Sequence, residues 1–266
     1  MQADEYMARI NLGLVQSKLQ TAIIGSRIVY LDSVSSTMDV AHSEASNSNN
    51  NGLVILAEEQ TSGRGRFRRD WISPKYQNLY LSILIRDSQP SLRYMSIAAC
   101  LAVAKAIERL TPLNVELNWP NDLTIGGKKF AGILVEQVYS TEALSYGIIG
   151  IGLNINMDTS VYPEISQTAT SIQQETGHPL SRELSLIEIL ESLEAEQRKL
   201  QANLSPVLEW NWILVTLGNS ITLAESQTMH TGQAIDVDES GNLVMQLDDN
   251  SYITMVSGDV TSHPLP

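Results

Sequence analysis

The 266-residue chain carries one cysteine, Cys100, and that alone excludes an intramolecular disulfide and a cysteine-based zinc centre. Cys100 sits in an apolar helical pattern, where a thiol reads as a small buried hydrophobe. The four histidines, His42, His178, His230 and His263, fall without metal-ligand spacing, and neither GxSxG nor HExxH occurs. The sequence therefore supports neither a metalloenzyme nor a hydrolase. Long apolar runs are missing too: none reaches the roughly 18 residues that a membrane span needs. The opening "MQADEYMARINLGLVQSKLQ" has no basic start, apolar stretch or small-residue cleavage site. It reads as an amphipathic helix rather than a signal peptide and predicts a cytoplasmic protein. Positive charge is also scarce. Lysine and arginine number 17 against 30 acids, a net charge of -13, which argues against an extended nucleic-acid surface because such surfaces displace many phosphate counterions.

Against that deficit, "TSGRGRFRRDW" (61–71) gathers Arg64, Arg66, Arg68 and Arg69 into one short stretch. Glycines between them let backbone amides approach a ligand, and each guanidinium offers a permanent charge and a planar fork for carboxylate or phosphate oxygens. The stretch reads either as a polyanion site or as a solvated basic loop. Alone it does not separate the two.

Periodicity and breakers organise the rest. A helix is predicted over 4–20, a strand over 27–34, and a short helix capped by Ser36 and Thr37 that ends at the Asn/Ser-rich loop 46–52. A strand over 53–59 puts the arginine stretch just past its C-terminal end, where α/β proteins commonly bind ligands. "NLYLSILIR" (78–86) alternates as a strand does, and residues 91–110 form a helical pattern stopped by Thr111 and Pro112. Strands within 115–119, 122–125 and 129–138 follow, the last two joined through Gly126 and Gly127, whose freedom at positive φ suits a two-residue hairpin turn. Residues 144–156 read as a glycine-dense strand and 181–201 as an amphipathic helix, with a further helix opening at Ser205 and Pro206. From Leu217, short β segments with Gly218, Gly232, Gly241 and Gly258 at turn-like intervals predict a barrel or sandwich of about 50 residues. No internal repeat is present, and the length suits one large domain plus a small one, or a single domain at the upper end of the usual range.

Two further stretches carry chemistry. In "NWPNDLTIGGKKFAGILVEQ" (118–137), Asn121 and Asp122 precede a hairpin that returns Lys128 and Lys129 beside them. Alternation along the returning strand turns one lysine toward the buried face, although a lysine at a strand entrance is often exposed and an Asn-Asp pair is often turn chemistry. "GIGLN" (150–154) sets glycines two apart on one strand face, without the GxGxxG spacing of a dinucleotide fingerprint. "GGKKF" is not a Walker A sequence, so any nucleotide is held differently.

Taken in order, "SSTMD", "EEQTSGRGRFRRDW", "SPKYQNLYLSILIR", "NWPNDLTIGGKKFAGILVE" and "IGIGLNIN" resemble the catalytic domain of the biotin protein ligases, over roughly residues 30–157, with a weaker likeness across the C-terminal β segments. The resemblance implies an α+β fold. A mixed β-sheet catalytic domain with flanking helices, of the biotin/lipoate ligase type, would occupy residues 1–216, and a small C-terminal SH3-like β-barrel 217–266. It implies ATP and biotin as substrates, Mg2+ as the nucleotide's counterion, activation of biotin as biotinoyl-5′-AMP, and transfer to a specific lysine of the biotin carboxyl carrier protein of acetyl-CoA carboxylase. Such a reaction brings a carboxylate against the α-phosphate of a polyanion, which is what clustered arginines and backbone amides suit.

Carried over by position, the resemblance makes Lys129, Arg64 and Arg66 catalytic: the arginines line biotin and the adenylate phosphate, and the lysine contacts the carboxylate and α-phosphate. Ser36, Thr37 and Gln60 hold the ureido head or neighbouring biotin atoms, and Gly132 follows Lys129 in the pocket. Trp71, Asn121 and Asp122 fall on the nucleotide side, Gly63 and Arg69 also belong to the substrate-binding loop, and Gly150, Gly152 and Asn154 form the glycine-rich strand. Two departures stand out. Asn118 replaces the usual lysine before Trp-Pro-Asn-Asp, which argues against a charge role there, and Arg68 replaces a usual glycine, which implies a stiffer loop or an extra phosphate contact. Some family members carry an N-terminal helix-turn-helix and repress transcription. Here about 25 residues precede the first strand, so the expectation is a form without that domain, binding neither DNA nor membrane. Some members dimerise through sheet edges, so the resemblance allows a homodimer and the sequence does not fix the oligomeric state.

Two alternatives compete. Lipoate–protein ligases share the fold and also adenylate an acid, but their Arg-Arg…Gly-Gly-Gly-Ala-Val-Tyr pattern is absent and GRGR stands in its place. A noncatalytic nucleotide-binding module would use the arginine loop without needing a lysine placed against it.

Overall fold

The computed structural model describes residues 8–47, 49–86, 92, 94–139, 146–225 and 228–263. Its larger part is a seven-stranded mixed sheet of β1 (Ile28–Leu31), β2 (Val54–Ala57), β3 (Leu79–Ile85), β4 (Glu116–Asn118), β5 (Asp122–Ile125), β6 (Lys128–Val138) and β7 (Tyr146–Leu153). The order is β1-β2-β3-β7-β6-β5-β4, with β1 and β2 parallel and every other neighbouring pair antiparallel.

The alternation of residues 78–86 does not produce a wet face, because all of β3 is buried. Leu79, Leu81, Ile83 and Ile85 enter the main core with α3 (Met95–Leu110) and α5 (Arg182–Gln201), which pack against each other. Leu84 points the other way and meets Met38 and Ala41 of α2 (Thr37–Glu44). A central strand covered on both sides needs apolar residues on both. The same parity sends Ser82, Gly150 and Gly152 to the α2 face. That face carries the site.

The expected helix over 4–20 is shorter. Residues 4–7 lie outside the described residues, and α1 (Leu12–Lys18) starts only after Asn11, whose side chain accepts from the Leu14 amide. Residues 8–11 are instead drawn into a buried polar knot: the Ile10 amide donates to Glu58 and to the Tyr30 hydroxyl, and Arg182 pairs with Glu58 at 2.6 Å, both essentially solvent-free. The helix expected over 91–110 and the strand over 144–156 begin at Met95 and Tyr146, residues 91, 93, 144 and 145 lying outside the described residues. Gly126 and Gly127 form the predicted hairpin turn at φ 54° and 78°. After α4 (Ile172–Thr176), α5 begins on the Ser181 cap, and α6 (Val207–Asn211) follows Pro206.

Residues 220–263 build a second, all-antiparallel sheet of β8 (Ser220–Glu225), β9 (Thr228–Val237), β10 (Leu243–Leu247), β11 (Tyr252–Met255) and β12 (Asp259–His263), ordered β11-β10-β9-β8-β12. Gly232 lies inside β9 rather than at a turn. A Cβ there would come within 2.2 Å of the Gln246 carbonyl, so close backbone approach explains it. Leu223, Ala234, Leu243 and Met245 of this sheet belong to the same apolar cluster as Ile97 and Trp210. The Trp119 Nε1 donates to Gly241 O at 3.0 Å and the Tyr94 hydroxyl to Glu239 O at 3.1 Å. The result is the expected α+β architecture: a mixed sheet with flanking helices and a small C-terminal β unit of the SH3-like kind. Cys100 is buried in the core, and burial pushes its thiol pKa up. Among the described residues no helix is long and apolar enough to cross a membrane.

Candidate active site

The site lies on the α2 face, where the strands carry glycine and serine instead of bulk. Gly132 of β6 and Gly152 of β7 are register partners, and Trp71 lies across them: a Cβ on Gly152 would fall 2.4 Å from the indole and one on Gly132 3.0 Å from it. Only glycine leaves room for that ring. Its Nε1 is buried and has no hydrogen-bond partner among the described residues, a costly arrangement that marks the floor as a place for an acceptor.

At one end of the floor, the first turn of α2 meets the end of β2. The Thr37 amide and hydroxyl both donate to Gln60 Oε1, at 2.9 and 3.1 Å, and Thr37 Oγ1 lies 2.7 Å from Ser82 Oγ. Gln60 in turn donates to Ser73 Oγ at 3.3 Å. Ser36 is buried at the cap position but makes no capping bond through its side chain, Gln60 serving the Thr37 amide instead.

The arginine loop starts beside this recess, where Gly63 packs against Ser73 and Gln60. Trp71 N donates to Gly63 O and Gly65 N to Arg69 O, with Arg66–Arg68 forming a 3-10 turn between them. Gly63 is packed against Trp71 O and Ser73 Oγ with no space for a side chain. Phe67 and Arg68 adopt φ of 53° and 58°. Position 68 is thus one where glycine is the unstrained choice, and arginine there costs about 1 kcal/mol of backbone strain. The chain leaving the loop is held at Lys75, whose hydrogen bond draws the Asp32 carboxyl below its usual range and lifts the Lys75 ammonium above its own. A cavity of about 580 Å3 opens beside the loop, lined by Arg64–Arg68 with Leu134 and Glu136.

Lys129 is half-buried against the floor, and Lys128 is exposed. Strand pairing fixes Lys129 on both sides: opposite Thr124 of β5 and, through its own N–H and carbonyl, against residues 168–170. Its ammonium sits 2.6 Å from Asp122 Oδ1 and 5.3 Å from the Trp71 ring centre, over the aromatic face. Asn121 is buried; its Nδ2 donates to Ile133 O, and its Oδ1 accepts from Arg66 Nη1 at 3.2 Å. Arg66 also reaches Gly258 O at 3.3 Å. The chain thus gathers cations over a glycine floor, beside a polar recess built from Thr37, Gln60, Ser73 and Ser82.

Not every expected residue joins the cluster. Gly150 backs the Met38 side chain, with a Cβ there falling 2.8 Å from Met38 Sδ. The Asn154 side chain is engaged with Asn78 and with Thr170 O. Arg69 is exposed on the loop's outer side. Ser73, Ser82, Asp39, His42 and Glu136 were not singled out from the sequence. The parity of β3 and β6 could have given Ser82 and Glu136, since both share a face with the glycines. Among the described residues no group of three or more acids, histidines or cysteines could hold a metal ion.

The Biotin/lipoate A/B protein ligase family matches residues 30–154, the segment that contains the floor, the loop and Lys129. The bifunctional ligase/repressor BirA of Bacillus subtilis is 30% identical over 233 residues, covering 86% of this chain and 72% of that protein. The biotin–[acetyl-CoA-carboxylase] ligase of Mycobacterium tuberculosis is 30% identical over 237 residues, 85% of each. The structure of biotin protein ligase from Aquifex aeolicus in complex with biotin and ATP shares the fold at TM-score 0.74 and 24% identity, over 90% of this chain and 99% of that one. With the motifs, the sheet order and a similarity over 85–86% of the chain in agreement, the chain belongs to the biotin/lipoate protein ligase family, on its biotin protein ligase side.

Proposed function

We infer that the chain is an ATP-dependent biotin protein ligase, a biotin–[acetyl-CoA-carboxylase] ligase. A biotin carboxylate oxygen attacks the α-phosphorus of ATP; the acyl–phosphate bond forms as the α–β bond breaks, and pyrophosphate leaves. A lysine amine of a biotin carboxyl carrier protein then attacks the acyl carbon, releasing AMP and a proton. The observation that carries this reading is Lys129: strand-pinned on both sides, paired with Asp122, and set over Trp71. A noncatalytic module has no use for that placement.

In this proposal Lys129 bridges the carboxylate and the α-phosphate, and Arg66, oriented by Asn121, retains the adenylate phosphate. Charge-stabilising arginines in phosphoryl transfer contribute roughly 10³- to 10⁵-fold, a scale that carries over by analogy. Ser36, Thr37 and Gln60 take the ureido head, Gly63, Gly132 and Gly152 leave room for the loop and the ring packed on them, and Trp71, Asn121 and Asp122 lie on the nucleotide side. Mg2+ arrives with ATP as the substrate's own counterion. Residues 1–216 form the catalytic unit and 217–266 the C-terminal unit. The family resemblance supports a carrier protein as partner in the cytoplasm, and the net charge of -13 disfavours DNA as one.

The test is pyrophosphate release from MgATP with biotin, with lipoate and with no acid, together with the mass of any protein-bound acyl-AMP. Biotin-dependent release with retained biotinoyl-AMP is expected, followed by labelling of a carrier domain. Release with lipoate alone transfers the chain to the sister ligases, and no release from folded protein removes the enzyme reading.

A further inference from the structure

Arg64 differs from its neighbours in the loop. Its Nη1 lies 2.6 Å from Asp39 Oδ1 and its Nη2 3.8 Å from Glu136 Oε1. The other Glu136 oxygen is taken at 2.5 Å by His42 Nε2, and the His42 ring stands edge-on to Tyr146 with centroids 6.3 Å apart. Asp39 and His42 are one turn apart on α2, and Glu136 projects from β6 on the face it shares with Gly132 and Leu134. Two carboxylates therefore surround one guanidinium at the cavity wall. A cation so neutralised is a poor anchor for a second anion, because an incoming phosphate meets two negative charges with it.

Resting on the ligase reading, we propose that Arg64 is a positioning residue: Asp39 and Glu136, the latter steadied by His42, clamp its guanidinium and so fasten the arginine loop to α2 and β6. Phosphate contact falls to Arg66. The clamp has a further consequence, because the same α2 whose first turn carries Thr37 also carries Asp39. The recess for the ligand's polar head and the loop that covers its anionic end are thus tied to one eight-residue helix.

Two readouts test this on the full-length chain. The first needs no substrate: tryptic nicking within 64–69, in wild type and in Asp39→Asn/Glu136→Gln, with circular dichroism and melting as folding controls. Nicking about fivefold faster at unchanged fold is expected, the scale of partly exposed ion pairs. The second is the biotinoyl-AMP off-rate and the KM for MgATP. The double variant should shed adenylate about fivefold faster. Adding Arg64→Gln should worsen it little further, since partners in one clamp are not additive. Should the double variant instead bind MgATP more tightly, the carboxylates are competitors of a phosphate-binding Arg64 and the clamp is wrong. Unchanged nicking and off-rate also overturn it. If wild type forms no adenylate, the ligase reading fails on its own, and nicking still decides the clamp.

Discussion

At the residue scale, the two adjacent lysines of β6 offer the sharpest contrast. Lys129 is pinned through its backbone and paired with Asp122, whereas Lys128 opens the strand in solvent. Lys129→Ala should lower the rate of pyrophosphate release on the order of 10²- to 10³-fold, as removal of one pre-placed donor does elsewhere, with melting temperature little changed. Lys128→Ala should leave it within about twofold, as ordinary surface changes do; a reversal of the pair, read in the same assay, puts the wrong lysine in the site. That one lysine would face inward was legible from strand alternation. That it is the second followed from the family motif, and the geometry adds why: a register shift between Leu123 and Thr124 resets the pairing that turns its side chain toward Trp71. Strand parity offers Glu136 on the glycine face, but Asp39 and His42 were not legible at all. Their meeting with Glu136 depends on α2 packing across β2, β3 and β7, a tertiary placement that spacing alone does not encode.

At the element scale, α5 does more than cover the sheet. Glu194, on its buried side, accepts the amides of Ala22, Ile23 and Ile24 and is paired with Arg198. Burial alone would raise the Glu194 pKa, but the three N–H donors and Arg198 outweigh it and hold it below the usual carboxylate range. With the folded value depressed, the stabilisation is fully present above the ordinary glutamate pKa of about 4.3 and fades as pH falls through the lower, folded value. Glu194→Gln should therefore cost about 1–3 kcal/mol at neutral pH, and the gap from wild type should close in acid, as read from urea midpoints against pH. The elements themselves were largely legible, because caps such as Ser181 and the glycine pair of the β5–β6 turn act locally. The first helix was not: its amphipathic pattern continues through residues 8–11, yet Glu58, fixed in the core by Arg182, takes the Ile10 amide that a longer helix would keep for itself.

At the scale of the whole molecule, two sheets that share no strand share one apolar cluster and are joined at Trp119–Gly241 and Tyr94–Glu239. A single cooperative thermal transition is the expected behaviour, despite the division that the sequence suggests near residue 217. Gly241 sits at φ 80° with a Cβ position only 2.6 Å from Ile97 Cδ1. Gly241→Ala should accordingly lower the transition by several degrees, about 2–4 °C per kcal/mol for a chain of this size, without splitting it; two separated peaks in calorimetry would show that the units melt independently. The interdependence reaches the site through Arg66, whose guanidinium touches Gly258 O of the C-terminal unit. The indole lying on Gly132 and Gly152 occupies the floor itself. An acid that needs that floor binds only molecules in which Trp71 has moved, so its apparent affinity is the intrinsic one diminished by the share of such molecules, and a substitution that merely dislodges the ring can tighten binding without adding a contact to the ligand.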